Sequence, residues 1–131
     1  MLVEAAQLLC NAHDESVSPP YKRTHYGHPC SVWTRSSIEN YDWLLVHADE
    51  LCYEFERRFD KSHKTRAVID WCIEHKPNVP AHGLTPFAVC IPDELKVGGD
   101  VVESYRRYYV VEKSKFAKWE PRTRTPSWWP K

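Results

Sequence analysis

The most constraining feature of the chain is a single apolar stripe. Ile38, Tyr41, Leu45, Ala48, Cys52, Phe55 and Phe59 recur at intervals of 3, 4, 3, 4, 3 and 4 residues. That spacing puts all seven on one face of an α-helix of about six turns. Ser36-Ser37-Ile38-Glu39 opens the run as a capping box, with Ser36 as N-cap and Glu39 at N3. Between Ser36 and Glu56 stand six acids, mainly off the stripe, and no Lys or Arg. The expectation is a long amphipathic helix with an acidic outer face.

Shorter helices are expected around it. Leu2 to His13 carries Leu2, Ala5, Ala6, Leu9 and Cys10 on one face. Pro29 suits the first turn of a short helix to Arg35. Lys64 to Lys76 places Ala67, Val68, Trp71 and Cys72 inward and is stopped by Pro77. Asp100-Val-Val-Glu103 begins a last helix, with Val102, Tyr105, Tyr109, Phe116 and Trp119 inward, ending before Pro121. Period-2 alternation is absent, so the fold expected is mostly α: a single compact domain of four to five helices with long proline-braced loops. The domain is expected over 1–120, with a basic, Pro/Trp-rich tail, 121–131, packed on it.

Composition narrows the function classes. At 131 residues, 42% hydrophobic and 27% charged, the chain is globular and not disordered. Its net charge of +0 hides a bipolar distribution: Tyr105 to Lys131 holds eight bases against Glu112 and Glu120. An anion would be steered to that end. Five widely spaced cysteines, an odd number without C-x-x-C, indicate reduced thiols in a cytoplasm. No apolar run reaches the roughly 18 residues of a membrane span, and Met1-Leu-Val-Glu has no basic leader region.

The segment THYGHPCSVWTR, Thr24 to Arg35, concentrates the candidate chemistry. His25-x-x-His28-x-Cys30 offers zinc-type ligands, but its spacing fits no common zinc module and a fourth ligand would have to come from His63 or His82. Cys30 beside two histidines permits a thiolate nucleophile, yet no signature of a cysteine enzyme surrounds it. No metal or cofactor is expected, and His28 capping the helix with Cys30 packed inward is the plainer reading. An anion site fits better. His25, His28 and Arg35 surround a helix N-terminus, and Lys61-Ser-His63-Lys64-Thr-Arg66 forms a second basic turn. Together they would make a pocket with cations for phosphate and with Tyr26 and Trp33 to stack a base; solvated helix ends are the alternative. On the last helix and tail, Arg106, Lys113, Arg122 and Arg124 could form a basic stripe, with Trp128 and Trp129 clamping the tail.

Ordered motifs add a resemblance. Glu4-Ala-Ala-Gln-Leu-Leu-Cys10, Tyr21-Lys-x-Thr-His25-x-x-His28-Pro, Trp33-x-Arg35-x-Ser and Asn40-Tyr-x-Trp43-Leu come first. Lys61-x-His63-Lys64, Leu84-Thr-Pro-Phe87, Pro92-Asp-Glu, Tyr105-Arg-x-Tyr-Tyr109, Lys113, Ala117-x-Trp119 and Pro126-x-Trp128 follow. Over nearly the whole length the chain resembles a small family of proteins of tailed phages and other large DNA viruses. Family members usually carry a further N-terminal strand and an Asp-x-His-x-x-Lys stretch before the position of Met1. Relative to them this chain reads as a shorter version or as one whose start was assigned inside the gene. The resemblance implies a viral protein in the host cytoplasm, concerned with DNA or nucleotides. It also implies His25, His28, Arg35, Asn40, Lys61, His63, Lys64 and Lys113 as the candidate site.

The function expected is therefore binding of a nucleotide or nucleic acid through a His/Arg/Lys/aromatic pocket, with possible action on a base or phosphate. His25 or His28 would be the acid or base, and Asp42 the nearest carboxylate. The alternative is a sequestering, host-interaction or assembly protein without turnover. A homo-oligomer is compatible with either, and no membrane partner is expected.

Overall fold

The long stripe forms its helix. In a computed structural model describing residues 1–119 and 124–130, Ile38–Phe59 is one 22-residue helix, α3. It is preceded by α1, Leu2–Asn11, and α2, Pro29–Ser36, and followed by α4, Arg66–Glu74, and α5, Val101–Tyr108. The mostly α expectation holds, with five α-helices among the described residues. No described helix is long and apolar enough to cross a membrane. The chain groups into two units, Met1–Ala88 and Val89–Lys131, so the tail groups with the unit that starts at Val89.

In the first unit α1 lays Leu2, Ala5, Ala6, Leu9 and Cys10 against Tyr41, Leu44, Leu45, Ala48 and Cys52 of α3 and Val68, Ile69 and Cys72 of α4. Six of these thirteen residues are Ala or Cys, small side chains interleaved with four leucines, Val68 and Ile69 around the fully buried Tyr41. The Tyr41 hydroxyl donates to the Cys72 carbonyl (3.0 Å) in the last turn of α4, satisfying one of its orphan acceptors. Beside it the buried His13 ring sets Nδ1 3.0 Å from the Leu9 carbonyl and Nε2 2.6 Å from that of His75, joining the ends of α1 and α4. The neighbouring Cys10 and burial push the Cys72 pKa up, while the Cys72 thiol lowers that of Cys10 against the opposing effect of burial.

Several boundaries depart from expectation. The N-cap of α3 is Ser37, not Ser36: its hydroxyl accepts from the Glu39 amide (3.3 Å) and donates to the Glu39 carboxylate (2.5 Å). Ser36 is the last residue of α2 and donates back to the Val32 carbonyl (2.5 Å). One residue therefore separates α2 from α3. Phe59 is 59% exposed, since the last turn of α3 outruns its partners. In α4, Ile69 is buried and Ala67 exposed, one position round from the expected face.

In the second unit Asp100 caps α5 as expected, accepting from the Glu103 amide at 2.9 Å. The helix then opens into a π turn at Tyr109–Lys113 and does not run on to residue 119. Val102 and Phe116 are exposed, and Ser104 is the buried position, bonded to Val97 and Asp100. Trp129 stands 5.5 Å from Trp119, and Trp128 lies under the Arg106 guanidinium. Pro121 and Arg122 lie outside the described residues.

Candidate functional site

The THYGHPCSVWTR segment is positioned by a residue distant in sequence. Asn11, buried at the end of α1, donates to the Thr24 carbonyl (2.5 Å) and the Ser31 hydroxyl (3.1 Å) and accepts from the Thr24 amide (3.2 Å). The loop is thereby pinned just where His25 adopts φ +50°, the left-handed region that few non-glycine residues enter. The turn closes with the His28 amide on the His25 carbonyl at 3.0 Å. His28 then caps α2 through Nδ1, which accepts from the Cys30 amide at 3.1 Å, and Pro29 occupies the first helical turn.

This turn gathers guanidinium groups. Arg35, in the last turn of α2, reaches back to donate to the Tyr26 carbonyl (2.5 Å) and the Ser31 hydroxyl (3.3 Å). Its guanidinium carbon lies 3.6 Å from the Tyr26 ring centroid, and that of Arg23 lies 4.1 Å from the same centroid. Each contact contributes about 0.5–1 kcal/mol at a partly exposed ring. Two like charges held over one ring repel, and only Arg23 has a carboxylate, Glu15 at 3.4 Å. Arg35 has none among the described residues. Guanidinium N–H donors gathered at this turn suit an anion.

The second basic turn is used differently. His63 Nδ1 accepts from the Thr65 amide (3.0 Å), and its ring packs edge-on to Phe55 at 4.7 Å. Arg66 is held by Asp49 (2.6 Å) and Asp70 (3.3 Å); with a bond to Cys52 and these carboxylates its pKa rises further. Lys61 and Lys64 remain exposed, with no ion pair among the described residues. The Tyr21 hydroxyl and the Thr65 hydroxyl, 3.0 Å apart, join the segment before this turn to the start of α4.

Asn40 and Trp33 belong to a third group. Asn40 is fully buried and donates to the Trp33 carbonyl and the Thr85 hydroxyl (both 2.8 Å) while accepting from the Thr85 amide (3.0 Å). Its amide is spent, so it holds the 84–87 strip in place and does not reach a ligand. Trp33 donates to the Thr85 carbonyl (3.2 Å) and packs on Phe87 (5.1 Å) and Trp43 (6.1 Å). Trp43 is the ring that faces outward, 42% exposed. The stacking roles expected of Tyr26 and Trp33 are thus altered: guanidinium covers Tyr26, and neighbours enclose Trp33. Lys113 belongs to the second unit, 5.5 Å from the Tyr108 ring.

For proton transfer the geometry offers little. His25 Nδ1 faces the Thr24 hydroxyl at 2.9 Å, His28 Nδ1 caps α2, and Asp42, the carboxylate expected to assist, is ion-paired with Lys76. The spacing-based reading missed Arg23 and Trp43. Arg23 was legible as a base two residues before His25, and Trp43 as an aromatic off the α3 stripe. Comparison with protein-family models, curated proteins and solved structures finds no match to the chain.

Proposed function

We propose that the first unit binds a nucleotide or nucleic acid by its phosphate, at the turn between residue 22 and α2. The observation that carries this is the pair of guanidiniums, Arg23 and Arg35, converging on Tyr26 with Arg35 lacking a carboxylate among the described residues. Arg presents a planar fork suited to phosphate oxygens, and exposed His25 and His28 flank it. Lys22 and Lys64 extend the basic surface along a polynucleotide. Binding without turnover is the favoured form, because neither histidine is oriented by a carboxylate among the described residues. In the phage setting that the sequence motifs suggest, such a protein would sequester or coat its ligand in the host cytoplasm.

The test is fluorescence anisotropy of a labelled single-stranded oligonucleotide at several salt concentrations, with chromatography of the recovered nucleotide. The double variant Arg23→Gln/Arg35→Gln should weaken binding about tenfold or more and reduce the slope of log K against log salt by about 0.7 per lost phosphate contact. Unchanged affinity and slope would refute the site. Recovered, altered nucleotide would replace binding with catalysis.

A further inference from the structure

The second unit carries a cavity that the phosphate site does not use. Glu103, Arg106, Arg107, Val110, Val111 and Trp128 line a space of about 220 Å³. The first five fall at i, i+3, i+4, i+7 and i+8, one continuous face of α5 and its extension. The valines stand in the π turn Tyr109–Lys113, a geometry often found at functional sites. The tail folds Trp128 over this face, with the Arg106 guanidinium carbon 5.5 Å from the indole centroid. The tail's own turn is fixed by the Trp129 amide on the Pro126 carbonyl at 3.0 Å.

Two features define the ligand. An indole face with two guanidiniums suits a flat ring attached to a phosphate. Glu103 forms no ion pair with Arg106 or Arg107 among the described residues, despite their spacing, so its carboxylate remains an acceptor at the wall. The volume lies below the roughly 300–1,000 Å³ of sites that enclose larger ligands, and so takes one ring system.

We infer that this cavity is a one-nucleotide pocket for single-stranded nucleic acid that selects a base bearing an exocyclic amino group. The base takes the place of the Arg106 guanidinium on Trp128, its amino group donates to Glu103, and the displaced Arg106 meets the phosphate with Arg107. A keto oxygen in place of the amine would face the Glu103 carboxylate and be repelled. The ligand class rests on the nucleic-acid reading above, but the pocket does not depend on Arg23 or Arg35.

The full chain is titrated by calorimetry with cytidine 5′-monophosphate, uridine 5′-monophosphate and ribose 5-phosphate. Cytidylate should bind roughly fivefold or more tightly than uridylate. Glu103→Gln, on an exposed helix face, should bring the two together, because its amide donates to the keto oxygen as well as accepting from the amine. Trp128→Leu should lower cytidylate affinity about tenfold, towards that of ribose 5-phosphate, whose own binding stays as it was. Arg23→Gln/Arg35→Gln should remove a separate binding event, shared by all three ligands through their phosphate, and leave the pocket's own affinities and its cytidylate preference unchanged. Equal binding of cytidylate and uridylate by the unaltered chain, or a preference that survives Glu103→Gln, overturns the pocket. A preference that responds to Glu103 while Arg23→Gln/Arg35→Gln changes nothing upholds the pocket and removes the phosphate site instead.

Discussion

Asn40→Ala separates a structural amide from a ligand contact. The amide makes three hydrogen bonds in a fully closed site: 2.8 Å to the Trp33 carbonyl, 2.8 Å to the Thr85 hydroxyl, and 3.0 Å from the Thr85 amide. Each is worth about 0.5–1.5 kcal/mol net, and truncation leaves buried groups of Trp33 and Thr85 unpaired. The loss is about 3 kcal/mol. For a unit of 88 residues that lowers the melting temperature by roughly 12–24 °C, followed by circular dichroism at 222 nm. Thr85→Val should cost about 1 kcal/mol, and the double variant less than the sum, because both substitutions remove the same bond. Oligonucleotide affinity at 10 °C, on folded Asn40→Ala protein, should stay within about twofold of the unaltered chain. A melt within about 4 °C of the unaltered protein refutes the reasoning. A large loss of affinity with an unmoved melt would return Asn40 to the ligand site.

Three further outcomes follow from the first unit. Ser37→Ala should cost about 1 kcal/mol in urea denaturation and Ser36→Ala distinctly less, because Ser37 is the cap of α3; the reverse order would restore the cap to Ser36. Burial and the neighbouring Cys72 raise the Tyr41 pKa in the folded state, so the fold keeps a proton that the unfolded phenol releases. Its stabilisation is complete below about pH 10 and is lost as pH rises, at up to about 1.4 kcal/mol per pH unit. Tyr41→Phe should reduce that alkaline slope in denaturant titrations at pH 9–11.5, the raised Cys72 pKa supplying the remainder, and an unchanged slope assigns it elsewhere. With a thiol-reactive dye, exposed Cys90 should label rapidly, while buried Cys10, Cys52 and Cys72 should label only on unfolding, Cys72 being further held protonated; early labelling of the buried three, mapped by mass spectrometry, would contradict the packing.

What the sequence made legible was periodic and local. The stripe of α3, the apolar face of α1, Pro29 at the start of α2 and Asp100 at the start of α5 were all readable from spacing and caps. The cap of α3 was misplaced by one residue because Ser36 and Ser37 both offer a hydroxyl. Only the three-dimensional path shows that α2 has already claimed Ser36. The π turn after Tyr108 carries no distinctive residue pattern, so continued helix was the natural reading there. The site was legible in composition but not in partners. Nothing local announces that Asn11 binds Thr24, 13 residues on, or that Thr85 reaches Asn40 across 45 residues. Those pairings decide which polar groups remain for a ligand, and they retired Asn40 while promoting Arg23.

Charge pairing explains how an anion site can stand in an acidic unit. Residues 1–88 contain nine Lys and Arg against twelve Asp and Glu, a formal net charge of −3. A field summed over the unit would repel phosphate. The acids of α3, however, are largely committed: Asp42 to Lys76, Asp49 to Arg66, Glu54 to Arg57 and Arg58, and Glu39 to the Ser37 hydroxyl that lowers its pKa. Pairing cancels those cations too, leaving Lys22, Arg35, Lys61 and Lys64 without a carboxylate among the described residues. At physiological salt the screening length is about 8 Å, so a phosphate at the Tyr26 turn responds to the guanidiniums beside it more than to distant acids. Exposed Glu50 and Glu56 then act as repulsion on the outer face of α3, directing a polyanion away from it. Recognition of this kind is short-ranged. Its salt dependence should come from contacts made in the complex and reside in the dissociation rate, because the unit as a whole provides no attractive field to speed the encounter.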